Sequence, residues 1–329
     1  MTSDALEVIA SVGAGRMGRG IAHAFAYAGH RVWLIDIKAR GAGEFANLRA
    51  SALAEITATL LTLAEFGVFD RSMVDTILAR IDVIDAPHAS GALAAADIIF
   101  EGVPETESAK RDALTLIDAH ARPDAIIAST TSTFLSTHLA GMTQRPARFL
   151  NAHWLNPAYL VPLVEVSPHP TTDPEVTRFL TALLERIGKV PVVCKASPGY
   201  IVPRIQALAM NEAARLVEEG VASAEDVDKA ILYGFGLRFS VLGLIEFIDW
   251  GGGDILYYAS RYLAHATGQD RFNAPDVIVA NMAQGRIGMK TGQGLYDWSN
   301  RDIDAHRQKR IGEFVAMLRH LKQIRPPVV

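Results

Sequence analysis

Short apolar runs alternate with longer segments of helical spacing through the first two thirds of the chain. Seven short β-rich runs lie before residue 195, and most of them are nearly continuous in apolar residues. They lie at residues 6–12, 31–36, 96–101, 125–129, 148–153, 163–166 and 190–193. Strands that are buried on both faces have this near-continuous apolar pattern. Their alternation with helices predicts an α/β fold with a doubly wound parallel sheet and crossover helices.

Two further regions have helical spacing without strand signals. Residues 39–80 are rich in Ala and Leu and predict a helical hairpin inserted into the sheet. After Ser197-Pro198-Gly199, a turn-like sequence, the pattern is helical to the C-terminus. Helices are predicted at residues 201–220, 254–267, 274–284 and 302–322, with a capping box at residues 223–226. We therefore expect a sheet domain over residues 1–195 and an all-α domain over residues 196–329.

Charge and composition exclude several classes of partner. The chain has 32 basic and 36 acidic residues, spread along its length, and a net charge of −4. Without a basic stripe, binding to nucleic acid or to an anionic membrane is not expected. No stretch approaches about 18 consecutive apolar residues, the length of a membrane-spanning helix, and the N-terminus lacks the pattern of a secretory signal. We expect a cytoplasmic protein whose single cysteine, Cys194, is a buried apolar residue.

A glycine-rich turn follows the first predicted strand and opens a helix. The glycines of Gly13-Ala14-Gly15-Arg16-Met17-Gly18 have the GxGxxG spacing of dinucleotide-binding sites. The first permits a tight turn, the second lets the backbone approach a pyrophosphate, and the third packs helix on strand. Asp36 ends the second predicted strand, where a carboxylate accepts hydrogen bonds from the ribose hydroxyls and repels a 2′-phosphate. The pattern predicts a Rossmann-type domain that binds NAD, while Lys38 and Arg40 leave a phosphate-bearing cofactor as an alternative.

One histidine ends a predicted strand and has a carboxylate nearby in the sequence. His153 ends the apolar run 148–153, and Glu165 lies inside the apolar run 163–166. A carboxylate inside an apolar strand is costly unless it is paired, so we expect Glu165 to pair with His153. A histidine oriented by a carboxylate is a suitable base for alcohol oxidation, in which hydride leaves for a nicotinamide. A metal site is not expected, because no His, Cys and Asp cluster has ligand spacing.

Six motifs, taken in order, resemble the 3-hydroxyacyl-CoA dehydrogenase family over nearly the whole chain. They are VGAGRMGRGIA at residues 12–22, EGVPE at 101–105 with Lys110, STTS at 129–132, HWLNP at 153–157 with Glu165, PGYIV at 198–202 and GRIGMKTGQG at 285–294. The resemblance implies NAD-dependent oxidation at C3 of an L-3-hydroxy substrate. It also implies a homodimer built on the C-terminal domain.

The resemblance assigns roles to individual residues. It implies a catalytic dyad of His153 and Glu165, with Ser132 and Asn156 in contact with the hydroxyl and carbonyl of the substrate. For Ser132, a role as a helix N-cap is the alternative. Residues expected to contact the cofactor are Gly13, Gly15, Met17, Gly18, Asp36, Glu105 and Lys110. The last two of these correspond to family residues on the ribose side.

Two departures from the family concern the substrate. Family members usually have an asparagine after the junction motif, and here that position is Pro203, which has no side-chain donor. The helical insertion, which is lysine-rich in the acyl-CoA enzymes, has no lysine between Lys38 and Lys110, so few cations face the phosphates of CoA. Residues 160–170 are similar to the branch that contains gulonate 3-dehydrogenase and lambda-crystallin, whose enzymes act on small polar acids without CoA.

Three interpretations follow from the sequence. The first is a 3-hydroxyacyl-CoA dehydrogenase of the short-chain, 3-hydroxybutyryl type. The second is a dehydrogenase of a free polar 3-hydroxy acid, such as gulonate, carnitine or a hydroxymethyl-pyridine-carboxylate. The third is an NADH-binding protein that has lost turnover and has a structural role. On the sequence alone we prefer the first, because it is the activity of the broad family.

Overall fold

Eight strands form one sheet at the centre of the N-terminal part of the chain. The computed structural model describes residues 6–328. The strands are β1 Ile9–Val12, β2 Val32–Ile35, β3 Ile81–Ile84, β4 Ile98–Glu101, β5 Ile126–Ser129, β6 Phe149–Trp154, β7 Leu163–Pro168 and β8 Val190–Val193. Their order across the sheet is β3-β2-β1-β4-β5-β6-β7-β8. The seven predicted strands are all present, so the predicted α/β fold is confirmed.

Helices cover both faces of this sheet, and further helices follow the last strand. Those before residue 200 are α1 Arg16–Tyr27, α2 Ala42–Glu65, α3 Val74–Leu78, α4 Ala89–Ala95, α5 Glu107–His120, α6 Ser136–Leu139 and α7 Pro174–Arg186. Those after it are α8 Val202–Glu218, α9 Ala224–Ala230, α10 Leu237–Phe239, α11 Leu244–Gly251, α12 Gly253–Thr267, α13 Asp276–Ala283 and α14 Ile303–His320, with a π-helical turn at Ile231–Gly236. The predicted helical insertion is thus a long helix, α2, followed by the short α3.

Successive residues of each strand contribute to two different cores, because side chains alternate across a sheet. Ile98 packs with α1, α2 and α7 on one face, whereas its neighbour Ile99 packs with α4 and α5 on the other. Both residues are completely buried. Burial on both faces explains the near-continuous apolar pattern of the central strands β1, β4 and β5.

The prediction of a wholly parallel sheet was wrong for its last two strands. Strands β1 to β6 run parallel, but β7 pairs with β6 in the antiparallel direction and β8 is parallel to β7. The connection from β6 to β7, residues 155–162, contains no helix. A parallel return needs a crossover of a dozen or more residues. The short connection therefore turns the chain back beside β6.

Strand β3 was not predicted, and the prediction that Cys194 is buried was wrong. Strand β3 is a four-residue edge strand directly after the helical insertion, and its Asp82 interrupts the apolar pattern. Cys194 is only half-buried. It follows β8, which is the other edge of the sheet and exposes Val190 and Val193.

The chain divides into two compact units on either side of residues 209 and 210. The regular elements of the second unit are helices over the residues that the structure describes, as predicted, with isolated β-bridges joining Gly288 to Gln293 and Gln293 to Asp297. Helix α8 runs across the division, and the last strand ends at Val193. A domain boundary at residue 195 therefore stays a prediction. Between residues 6 and 328 no single helix has the length and apolar composition to cross a membrane, and one bent pair, Ala224–Phe239 with Leu244–Gly251, passes by length and composition only.

A buried carboxylate organises the glycine-rich segment of the second unit. Asp249 in α11 is 2% exposed and accepts hydrogen bonds from Leu295 N at 2.9 Å, Tyr296 N at 2.8 Å and Trp298 Nε1 at 2.8 Å. A Cβ atom on Gly294 would lie 2.3 Å from the Asp249 carboxylate. Close packing around Asp249 therefore explains two glycines of the motif, Gly288 and Gly294.

Replacing Asp249 by Ala should destabilise the protein by at least about 3 kcal/mol, because three buried donors lose their acceptor. Urea denaturation followed by circular dichroism measures the change. Asp228→Ala, an exposed position in α9, is the matched control and should stay within about 0.5 kcal/mol of the wild type. Equal stability of the two variants would contradict this account of the segment.

Candidate active site

The glycine-rich turn between β1 and α1 is shaped by three different constraints. Gly13 has a φ of +106°, and a Cβ atom there would lie 2.6 Å from the carbonyl oxygen of Gly102. A Cβ atom on Gly18 would lie 2.0 Å from the carbonyl oxygen of Gly13. Around Gly15, in contrast, nothing lies within 4 Å of the added atom. The first and third glycines are required by the protein itself, and the second borders open space at the start of α1, where a pyrophosphate fits.

Asp36 lies at the end of β2 with its carboxylate largely buried. The nearest cation is Arg40, whose Nε donates to Asp36 Oδ2 at 2.5 Å. Arg40 therefore has a carboxylate partner within the protein. Met17 is half-buried against the core beneath the turn. The acidic group at this position fits the ribose of NAD.

Glu101 and Lys110 form a buried ion pair beside the turn. Glu101 is completely buried and accepts hydrogen bonds from Val103 N at 2.9 Å, Ser129 Oγ at 2.6 Å and Lys110 Nζ at 2.9 Å. Lys110 is 1% exposed, and its ammonium also lies 3.3 Å from Glu105 Oε2. The sequence did not indicate this pairing of β4 with α5. A direct contact of Lys110 with the cofactor stays a prediction, since two carboxylates already surround its charge.

Glu105 holds the loop that follows β5. Its Oε1 accepts hydrogen bonds from the backbone of Ser132 and Thr133, both at 3.0 Å, and from the hydroxyls of Thr131 and Thr133. Burial opposes ionisation of Glu105, but these hydrogen bonds and Lys110 outweigh it and lower the pKa of the carboxyl to about 2. Glu105 is therefore an anion at neutral pH, and the loop that carries Ser132 is fixed around it.

Ser132 is exposed at the carboxyl edge of the sheet. The alternative role as an N-cap is excluded for the nearest helix, because α6 begins at Ser136 and has Leu135 at its N-cap position. Ligands of doubly wound sheets bind at this edge. The hydroxyl of Ser132 is thus placed where a substrate contact is expected.

His153 and Glu165 face each other across the antiparallel pair β6 and β7. They are register partners, and His153 Nδ1 lies 2.8 Å from Glu165 Oε2. His153 is 7% exposed and Glu165 is completely buried. The second carboxylate oxygen accepts hydrogen bonds from Ile201 N at 2.9 Å and Val202 N at 2.8 Å, at the start of α8. The predicted pairing is present, and the link to α8 is an addition.

Tyr200 completes the surroundings of His153 and was missed as a site residue. Its ring stacks on the imidazole with a centroid separation of 4.8 Å and an interplanar angle of 11°. The phenol donates to the carbonyl oxygen of Thr131 and accepts from Asn151 Nδ2, each at 2.9 Å. Burial raises the pKa of Tyr200 well above its usual value, so the phenol stays protonated. Its place in the PGYIV motif was the available signal.

Asn156 lies in the exposed connection after β6. Lys189 fixes this connection from below: its Nζ donates to the carbonyl oxygens of Ala158 at 2.7 Å and Val161 at 2.9 Å. Burial lowers the pKa of Lys189. Pro203 is the second residue of α8, a first-turn position where the missing N–H costs no helical hydrogen bond.

A cavity of about 220 Å³ opens beside Asn156, and His153, Glu165 and Ser132 are not among the residues that line it. The side chains around it are Arg16, Arg19, His23, Glu55, Ile56, Thr59, Pro157, Ala158 and Tyr159. Arg19 pairs with Glu55, and His23 Nδ1 lies 2.9 Å from Thr59 Oγ1. Burial, with a smaller effect of Lys189, lowers the pKa of His23 to about 4. His23 is therefore neutral at physiological pH.

Comparison with known proteins decides the family. The model of the 3-hydroxyacyl-CoA dehydrogenase NAD-binding domain matches residues 8–197, and that of the C-terminal domain matches residues 199–298. The chain belongs to the 3-hydroxyacyl-CoA dehydrogenase family. It is an NAD-dependent dehydrogenase that acts on a CH–OH group, as the sequence motifs predicted.

Relatives within the family differ in substrate. The chain is 30% identical to 5-formyl-3-hydroxy-2-methylpyridine 4-carboxylate 5-dehydrogenase of Mesorhizobium japonicum, over 95% of this chain and 98% of that protein. It is also 30% identical to a probable 3-hydroxybutyryl-CoA dehydrogenase of Bacillus subtilis, over 90% and 99%. The crystal structure of a 3-hydroxyacyl-CoA dehydrogenase from Archaeoglobus fulgidus matches with a TM-score of 0.74 and 29% identity, over 97% and 100%.

Replacing Gly15 by Ala should weaken NADH binding by about tenfold or more, because the methyl group enters the space that the pyrophosphate needs. The fold should be unaffected, since Gly15 has an ordinary φ of −85° and nothing contacts the added atom. NADH fluorescence titration and thermal melting measure the two quantities. Gly43→Ala, at the start of α2 with similarly open surroundings, is the control. Unchanged NADH affinity in Gly15→Ala would contradict the assignment of this turn.

Proposed function

We propose that this dehydrogenase oxidises the 3-hydroxyl of a small polar acid, with His153 as the general base. The 2.8 Å hydrogen bond between His153 and Glu165 carries the proposal. Alcohol oxidation needs a base for the hydroxyl proton while hydride leaves from the same carbon. NAD, when bound, accepts that hydride.

Glu165 prepares His153 for this role. With Nδ1 donating to the carboxylate, Nε2 is the ring nitrogen that accepts a proton. Proton transfer from the substrate hydroxyl to Nε2 makes an imidazolium, which the buried carboxylate stabilises. Two backbone N–H groups hold the other carboxylate oxygen and prevent it from turning away. The proton leaves Nε2 for solvent after the oxo product departs.

Ser132 and Asn156 are proposed substrate contacts. Both side chains are exposed, one after β5 and the other after β6, and these strands are neighbours in the sheet. Their hydroxyl and amide groups can donate to the oxygen on C3 and to the carboxyl or carbonyl group at C1. Each therefore orients the carbon that loses hydride.

The volume of the cavity beside Asn156 and the charge of the helical insertion favour a small acid over a CoA thioester. A cavity of about 220 Å³ is below the usual size of pockets for drug-sized ligands. Residues 42–78, which comprise α2, α3 and the connection between them, contain five carboxylates and two arginines, a net charge of −3. A surface of this charge repels the phosphates of CoA. Arg16, neutral His23 and Thr59 offer hydrogen-bond donors and acceptors to a polar substrate.

A short-chain 3-hydroxyacyl-CoA is the second candidate, and it was our preference from the sequence. The names of the Bacillus subtilis and Archaeoglobus fulgidus relatives support it, whereas the name of the Mesorhizobium japonicum relative supports the free acid. Both candidates use the same base. A protein without turnover is disfavoured, because the dyad has the geometry of a working base.

We also propose that the protein is a homodimer. The second unit exposes large apolar side chains, among them Leu232, Tyr233, Ile255, Tyr258 and Tyr262. Contiguous apolar surface is typical of association surfaces. A second copy of the chain is the partner that the family resemblance implies.

Replacing His153 by Gln should lower kcat by at least about a hundredfold, since a positioned base contributes that much or more. NADH affinity should stay within about twofold, because the glycine-rich turn is untouched. Stopped-flow or steady-state absorbance at 340 nm measures turnover. His120→Gln, an exposed histidine at the end of α5, should retain full activity. Unchanged turnover in His153→Gln would refute the proposed base.

The substrate class is tested by comparing thioester and free acid under identical conditions. We expect NAD reduction with at least one free acid from a panel of gulonate, carnitine, 3-hydroxybutyrate and pyridine-based hydroxy acids, and little reduction of acetoacetyl-CoA. Free CoA should not inhibit, because no cationic surface on α2 and α3 holds its phosphates. Efficient acetoacetyl-CoA reduction with competitive inhibition by CoA would establish the second candidate instead.

A further inference from the structure

Tyr200 has a backbone conformation that a tyrosine rarely adopts. Its φ is +46°, in the left-handed region, and it follows Gly199 with a φ of +75°. Residues other than Gly, Asn and Asp are uncommon in this region, because the backbone is strained there. A strained backbone persists only where surrounding contacts hold it in place. Tyr200 is only 7% exposed, so its ring is surrounded by protein atoms.

This conformation serves both members of the dyad at once. The backbone after Tyr200 directs the N–H groups of Ile201 and Val202 to Glu165 Oε1. The side chain of Tyr200 points back and lies flat against the imidazole of His153, with ring centroids 4.8 Å apart. One turn of chain therefore contacts the carboxylate through its backbone and the imidazole through a ring.

The phenol of Tyr200 extends the same contact to the neighbouring loop. It donates to the carbonyl oxygen of Thr131, immediately before Ser132. It accepts from Asn151 Nδ2, and that amide also donates to the carbonyl oxygen of Phe134 at 2.9 Å. Residues 131–134 are thereby held at both ends, while Glu105 holds their middle.

We propose that Tyr200 is a positioning residue that fixes the plane of the His153 imidazole and, through its hydroxyl, the distance from that ring to Ser132. This inference rests on the proposed function. The hydroxyl is hydrogen-bonded to Thr131 and Asn151, and the ring stacks on His153. These contacts account for a strained tyrosine just before α8. Apolar packing alone would be served by a leucine, and helix capping alone is served by the backbone. The two halves of the side chain thus have separable effects: the ring acts on the base, and the hydroxyl acts on the substrate loop.

Two substitutions separate these effects. Tyr200→Leu removes stacking and hydroxyl while keeping an apolar side chain, and should lower kcat by about tenfold to a hundredfold, the cost of a misplaced catalytic group. Tyr200→Phe keeps the stacking ring and should lower kcat no more than about threefold. It should raise the substrate KM about fivefold, the factor that one net hydrogen bond provides. NADH affinity should be unchanged in both, because the glycine-rich turn is not involved.

A double variant tests whether Tyr200 acts through His153. If it does, adding Tyr200→Leu to His153→Gln should cause no further loss of kcat, since coupled residues are not additive. Tyr27→Leu, at the exposed end of α1, is the control for loss of a tyrosine, and thermal melting compares the folds. Equal losses of kcat in Tyr200→Leu and Tyr200→Phe, or a full additional loss in the double variant, would overturn the inference. The proposed base fails by a different result, namely full turnover in His153→Gln alone.

Discussion

The site depends on the antiparallel return of β7 beside β6. This return makes His153 and Glu165 direct partners in one ladder, so their separation is fixed by backbone hydrogen bonds on both strands. The cost of burying Glu165 is offset by His153 and by two N–H groups of α8.

A second buried carboxylate, Glu101, lies next to the glycine-rich turn. Glu101 accepts hydrogen bonds from Lys110, from Ser129 and from a backbone N–H. Lys110 also forms an ion pair with Glu105. Glu105 then organises the loop after β5. The position of Ser132 is therefore set by a chain of charges that begins inside the sheet. Breaking such a buried pair costs more than the pair contributes, because the remaining charge has no partner.

Local sequence patterns predicted the elements whose structure depends on neighbouring residues in the sequence. Continuous apolar runs predicted seven strands, and the glycine spacing predicted the turn at Gly13 to Gly18. The carboxylate inside an apolar run predicted the pairing of Glu165 with His153. Strand β3 was missed because it is short, lies at an edge and contains Asp82. Helices α10 and α11 were missed because Gly234, Gly236 and Gly243 interrupt the helical pattern there.

Features that depend on residues far apart in the sequence could not be predicted from local patterns. The pairing of Lys110 with Glu101 requires the packing of α5 on β4, and the antiparallel direction of β7 depends on the absence of a crossover helix. The left-handed backbone of Tyr200 runs against the intrinsic preference of tyrosine. Such conflicts between local preference and final structure are concentrated at functional positions.

The neutral state of His23 has a consequence for how acidity affects this enzyme. With a pKa of about 4, His23 stays largely neutral from pH 6 upwards. Its imidazole therefore adds no positive charge to the cavity in a mildly acidic or a mildly alkaline cell. A polar ligand that entered this cavity would meet His23 as a neutral hydrogen-bonding group, and not as a cation that binds anions, under both conditions.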